Sequence, residues 1–363
     1  LQARGLDGLL MFRQESMYYL SGYDTFGFCF FQCLYLGLDG QLTLLTRAPD
    51  LRQAQNTSII EDIRIWVDGD GVTPCDDLKA ILQGHGCAGQ RLGVEYDAYG
   101  LNAKNGMSLN ATLDGFCSLE DASDLVSIQR MVKSPRELDY IRRAGELADD
   151  AWHQALGTTA AGADEGDILA AMQGAVFRGG GDYAGNEFII GSGADALLCR
   201  YFTGRKVLQP QDQLTLEFAG AYRHYHACMM RTIVVGDPSP HQLHMYEACA
   251  EALAACKAAL TVGQPIGGVF DAHARVMDEA GLKHARMNAC GYSMGAVFAP
   301  IWMDNPMLYH GNPVIAAPGM VFFLHMILMD SAAGQAMTLG ETVIVTDDGN
   351  ERLSSAPLEL AVR

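Results

Sequence analysis

Leu214-Thr215-Leu216-Glu217-Phe218-Ala219-Gly220, followed a few residues later by Tyr225-His226-Ala227-Cys228-Met229-Met230-Arg231-Thr232, is the stretch on which the fold turns. Both segments are apolar and Arg223-His224 lies between them, so residues 214–218 and 225–235 read as hairpin strands. Glu217 interrupts the first, and Cys228 follows it eleven positions on. A cysteine in such a strand is either an inert buried thiol or, where its pKa is lowered, a nucleophile toward an amide or amidine carbon. His224 and His226 fall on one side of the strand, with Tyr225 opposite. A surface hairpin tip is the plainer reading of that pair, and His226 is also a substrate-binding candidate.

Outward from the hairpin, helices are expected at residues 241–260 and 266–280, then strands at 321–329 and 338–345. On the other side, Ser134 is placed as an N-cap, with Pro135 in the first turn of a helix running to about residue 156. A second helix, residues 163–177, stops at Gly179-Gly180-Gly181, and a strand follows at 187–190. Two helix pairs, each followed by antiparallel strands, imply an α+β domain of two duplicated halves over residues 126–363. The first 125 residues form a separate α/β domain. Its strands are expected at 8–12, 29–36, 41–47, 63–67 and 91–95, with a hairpin closed by Gly37-Leu38-Asp39-Gly40 and a helix at 77–83.

A chain of 363 residues supports two sizeable cores, and 49% hydrophobic residues is an ordinary globular composition. The net charge of -18 argues against nucleic acid or an anionic membrane as partner, because little here would neutralise phosphates. The longest apolar stretches are too short to span a bilayer, and no secretory leader pattern is visible. Ten cysteines show no paired C-x-x-C spacing, as expected for reduced thiols in a cytoplasmic protein. Gly191-Ser192-Gly193 lacks the following Lys and Ser/Thr of a phosphate loop, so nucleotide binding is discounted.

Taken in order, Lys133-Ser134-Pro135-Arg136-Glu137 and residues 214–236, 290–295, 318–322 and 340–346 resemble the "pita-bread" superfamily of creatinase, prolidase and methionine aminopeptidase. The resemblance covers the whole chain and implies a creatinase-type N-terminal domain ahead of a pita-bread catalytic domain. Metallopeptidase members hold two metal ions with two aspartates, one histidine and two glutamates. Those positions fall here on Glu217, Cys228, Tyr292, His325 and Gly340, and a further substrate-contacting histidine position falls on Cys199. One carboxylate remains where bridging carboxylates are needed to offset two dications, so the resemblance implies no dinuclear centre.

The metal-free branch, with creatinase and ectoine hydrolase, is the nearer likeness; both cleave C–N bonds in small polar molecules. A metal-independent hydrolase of a cyclic amidine, guanidino or amide compound is therefore expected, with a small-molecule substrate and no cofactor. In this reading Cys228 attacks, Glu217 and His325 handle protons, and Tyr292 donates a hydrogen bond in the pocket. Cys199, Tyr201 and Trp302 are expected as pocket walls. The resemblance also implies a homodimer in which the N-terminal domain, through the segment beginning at Tyr23, helps close the other subunit's site. Two alternatives stay open: one zinc held by Glu217, Cys228 and His325, or a binding protein without catalysis.

Overall fold

A computed structural model of the protein describes residues 1–200 and 204–363. The chain divides into two compact units, Leu1–Arg130 and Met131–Arg363. The division falls five residues beyond the expected 125, because Val126 is buried in the core of the first unit.

The first unit contains β1 (Gly8–Met11), α1 (Gln14–Ser21), β2 (Cys33–Gly37), β3 (Leu42–Arg47), α2 (Leu51–Thr57), β4 (Asp62–Trp66), α3 (Pro74–Gly84), β5 (Arg91–Val94), α4 (Ala103–Leu113), β6 (Ser118–Asp121) and α5 (Leu125–Arg130). Its six strands order as β4-β3-β2-β1-β5-β6, with β2 antiparallel to both neighbours and the outer pairs parallel. Alternation along β1 serves two cores: Leu10 faces one, Leu9 and Met11 the other. The strand expected from residue 29 starts only at Cys33, since Gly27–Cys29 is a 3-10 turn.

Tyr23 is corrected here. Its side chain is fully buried in the unit's second core, and its hydroxyl donates to Gln32 Oε1 at 3.2 Å. A phenol enclosed in this way cannot wall a substrate site. Phe26 and Phe30, further along the same segment, are exposed instead.

The second unit contains α6 (Pro135–Thr158), α7 (Glu165–Arg178), β7 (Ile189–Ser192), β8 (Asp212–Tyr222), β9 (Tyr225–Val235), α8 (Pro240–Ala259), α9 (Gly267–Glu279), β10 (Gly291–Ser293), β11 (Asp304–Met307), β12 (Val321–Asp330), β13 (Gln335–Thr346), β14 (Gly349–Arg352) and β15 (Ala361–Val362). Helix α6 opens on a full capping box: the Glu137 amide donates to Ser134 Oγ and the Ser134 amide to the Glu137 carboxylate. The strands form one sheet, β11-β10-β12-β13-β9-β8-β7, with β14 added on β13 and β15 on β9. No helix among the described residues is long and apolar enough to cross a membrane.

Strand alternation gives this sheet one helix-covered face. Gly220 lies directly under α6: a Cβ there would meet the Ala144 carbonyl oxygen at 1.9 Å, so only glycine lets helix and strand approach this closely. Phe322, Leu324, Met326 and Leu328 of β12 join Met337, Leu339, Val343 and Val345 of β13 in a core with α8 and α9. The intervening residues, including Glu217 and His325, lie on the other face.

Candidate active site

Register places the chemistry-bearing residues in two adjacent rows across that second face. Glu217 pairs with Met230, Met230 with Gly340, and Gly340 with His325. One step along, Ala219 pairs with Cys228, while Thr342 pairs with Phe323 and Phe323 with Tyr292. Thr342 joins the two halves of this second row: its hydroxyl accepts from the Cys228 amide and donates to the Cys228 carbonyl, both at 2.9 Å. Paired residues point to the same side of an antiparallel sheet. Five positions far apart in sequence thus share one surface.

A cavity of about 280 Å³ opens on it, lined by Glu217, Tyr292, Trp302, His325 and Cys199 among the expected residues. Among the described residues, Asn186, Ile189, Arg200, Met287, Ala289, Ile301, Met303, Met307 and Ile327 also line it. The volume suits a small molecule, and apolar walls with a few polar groups are usual for such sites. Arg200 and Asn186 were missed by sequence reasoning. Arg200 had one signal, its place beside Cys199; Asn186, in a loop before β7, had none.

Three groups form a chain at the cavity wall. The Trp302 indole N–H donates to the Tyr292 hydroxyl at 2.8 Å, and that hydroxyl donates to Glu217 Oε1 at 3.2 Å. Burial pushes the Glu217 carboxyl up to about 7, and it is held there against the opposing hydrogen bond from Tyr292 and the charge of Arg200. Both protonation states are therefore populated near neutral pH. Burial, with a smaller contribution from His273, lowers His325 to about 4, so its imidazole is neutral in that range. Its Nδ1 is buried with no partner among the described residues. Burial also raises the Tyr292 phenol well above its ordinary value, with Glu217 and Cys228 adding to the shift.

Cys228, expected as the attacking group, is not among the residues that line the cavity. It is 2% exposed, and burial followed by the nearby charge of Glu217 raises its thiol well above the usual value, against the pull of a Tyr292 hydrogen bond. A thiolate is disfavoured there. His226 is likewise neither a surface residue nor a wall: it is fully buried, and its Nε2 accepts from the Gly185 amide at 2.8 Å. Tyr201 lies outside the described residues.

The residues do not fit the two-metal centre that the fold implies. Gly340 has no ligand to offer, and a Cβ there would stand 2.9 Å from two ring carbons of Phe323 and 3.0 Å from the Leu324 carbonyl oxygen. The Phe323 ring fills the space a longer side chain would need. Among the described residues no group of three or more His, Cys, Asp or Glu is placed to hold an ion, and the trio Glu217, Cys228 and His325 is no exception.

Comparison with known proteins agrees with this architecture. The model of metallopeptidase family M24 matches residues 139–347, and that of the creatinase/prolidase N-terminal domain matches residues 1–132. Ectoine hydrolase of Halomonas elongata is 27% identical over 389 aligned positions, covering all of this chain and 94% of that protein. Xaa-Pro dipeptidase of Pyrococcus furiosus is 24% identical over 65% of this chain and 67% of its own length. Among solved structures, the X-Pro aminopeptidase of Thermotoga maritima superposes with a TM-score of 0.87 at 19% identity, covering 100% of this chain and 97% of that one.

Proposed function

The chain belongs to metallopeptidase family M24, and from that premise we propose that it hydrolyses a C–N bond of a small nitrogenous compound without a dinuclear metal centre. Cyclic amidines, guanidino compounds and amides are the substrate classes. The observation that carries this reading is Glu217: a single cavity-wall carboxyl, oriented by Tyr292 and balanced between its two protonation states near pH 7. Likeness to ectoine hydrolase along the full chain supports the same reading.

In this mechanism ionised Glu217 takes a proton from water as its oxygen adds to the amidine or amide carbon. Protonated Glu217 then returns that proton to the leaving nitrogen as the C–N bond breaks. Arg200 attracts an anionic group of the substrate or the developing negative charge. Neutral His325 offers a hydrogen bond to the substrate. Tyr292, fixed by Trp302, keeps the Glu217 carboxyl in one orientation, and the apolar walls limit water near the reacting atoms. Cys228 stays a buried thiol. We also propose a cytoplasmic homodimer, which light scattering of the purified protein would test through its mass.

The test is hydrolysis of a panel of small cyclic amidines, guanidino compounds, amides and Xaa-Pro dipeptides by chelator-treated protein. Turnover of a non-peptide substrate that survives chelation supports the proposal. Cleavage confined to dipeptides and restored only by a divalent metal would overturn it.

A further inference from the structure

The β8–β9 hairpin ends in a two-residue turn, Tyr222 pairing with Tyr225, and both central residues have positive φ: Arg223 at 50° and His224 at 62°. Such turns ordinarily use Asn-Gly, because side chains are disfavoured there. A non-glycine backbone in this region persists where its surroundings over-determine it.

The surroundings are two loops. From residues 181–188, Asp182 accepts from the His224 amide at 3.1 Å, and its own amide donates to the Ala221 carbonyl at 2.8 Å. From residues 295–303, the Val297 amide donates to the His224 carbonyl at 3.0 Å, and the Phe298 ring stacks on the His224 ring with centroids 4.1 Å apart.

His226 ties these together. Its Nδ1 lies 2.7 Å from the His224 carbonyl oxygen, so Nδ1 carries the proton and Nε2 is free to accept. Nε2 accepts from the Gly185 amide at 2.8 Å, and the His226 backbone amide donates to the Gly295 carbonyl at 3.2 Å. Gly185 in turn sits against the second loop, where a Cβ would lie 2.7 Å from the Ile301 carbonyl oxygen. The residues that follow these anchors, Asn186 in one loop and Ile301, Trp302 and Met303 in the other, are cavity walls. Trp302 leads through Tyr292 to Glu217.

We propose that His226 is a positioning residue: its neutral imidazole pins the 181–188 loop to the hairpin tip while its backbone amide holds the 295–303 loop, and together they fix two walls of the Glu217 cavity. The proposal rests on reading that cavity as the hydrolytic site. Burial favours the required form, since it lowers His226 to about 4. A ligand that touches Asn186 would feel the loss of this clamp, although His226 itself does not touch it.

Amide hydrogen exchange on the protein without substrate decides it. His226→Phe removes the acceptor, and exchange in residues 182–188 should rise about tenfold while residues 296–303, still held through backbone bonds, and the β8–β13 ladder keep their protection. His226→Gln, which places an acceptor at the same reach, should hold exchange near the wild-type rate. With a turned-over substrate, His226→Phe should lower kcat/KM about tenfold, mainly through KM, and His226→Gln should restore it to within about threefold. Unchanged exchange in His226→Phe, or equal opening in both variants, overturns the proposal. Should His226→Phe fail to fold, the unaltered protein still decides: a fast-exchanging Gly185 amide, or a His226 imidazole protonated at Nε2 by nitrogen NMR, overturns it. A wild-type protein that hydrolyses no C–N substrate refutes the functional reading, and the exchange result stands apart from it.

Discussion

Two buried glutamates carry the same perturbation and opposite meanings. Glu95, in the first unit, and Glu217, in the second, both have carboxyls raised to about 7 by burial. Glu95 is fully enclosed and accepts from the Phe12 amide at 3.1 Å, the Arg13 amide at 3.0 Å and the Ser16 hydroxyl at 2.5 Å. Its lone pairs are taken up by the chain around the start of α1. Glu217 accepts from the Tyr292 hydroxyl and opens on a cavity. A shifted pKa alone does not mark a site; hydrogen-bonding capacity left over toward a cavity does.

The largest expected effect separates the two directly. Glu217→Gln should lower kcat by about 10²- to 10⁴-fold while leaving urea unfolding within about 1 kcal/mol of wild type. A variant that keeps full turnover would remove Glu217 from the chemistry. Glu95→Gln should do the reverse: its amide N–H₂ would face donors, destabilising the first unit by about 1–3 kcal/mol, with turnover per folded molecule unchanged. Chemical denaturation of both variants checks the pair.

The pH dependence sharpens the same contrast. The Glu95 carboxyl binds its proton more tightly in the folded state than the ordinary value of 4.5 allows. Its favourable contribution is therefore full below about pH 4.5 and is lost as pH rises through about 7. Over that window it amounts to up to about 3 kcal/mol, and Glu95→Gln should flatten the slope. For Glu217, the reporter is kcat/KM, which should show an apparent ionisation near pH 7 that Glu217→Gln abolishes. Smaller effects lie further from the carboxyl. Trp302→Phe, which removes the donor to Tyr292, should lower kcat by about three- to tenfold. Cys228→Ser should leave turnover within about threefold; a collapse of activity, or a substrate adduct on Cys228 by mass spectrometry, would restore the thiol as attacking group.

Much of the fold was legible because the periodic signals were strong. Residues 225–235 are the strand β9 as expected, and Ser134 caps α6 with Pro135 in its first turn. The short β10, β11 and β14 were not anticipated, since strands of three or four residues carry little alternation to read. At the site, Glu217, Tyr292, His325, Cys199 and Trp302 do converge. The misplaced residues share one cause. Tyr23, His226 and Cys228 are expected at the site from residue type and from the family resemblance, and packing encloses each of these side chains.

The sequence by itself determined which side chains stand at the five inherited positions, and hence that one carboxylate faces a site where bridging carboxylates are the rule. It also determined the two-domain order, through hydrophobic period and helix capping. Only the tertiary structure decided which of those side chains meet a substrate-sized space. Cross-strand register puts Cys228 and Glu217 on one face, yet packing leaves the thiol enclosed, the carboxyl at the wall and the Phe323 ring over Gly340. Those differences depend on the joint geometry of strands β8 to β13, which no local stretch of sequence encodes.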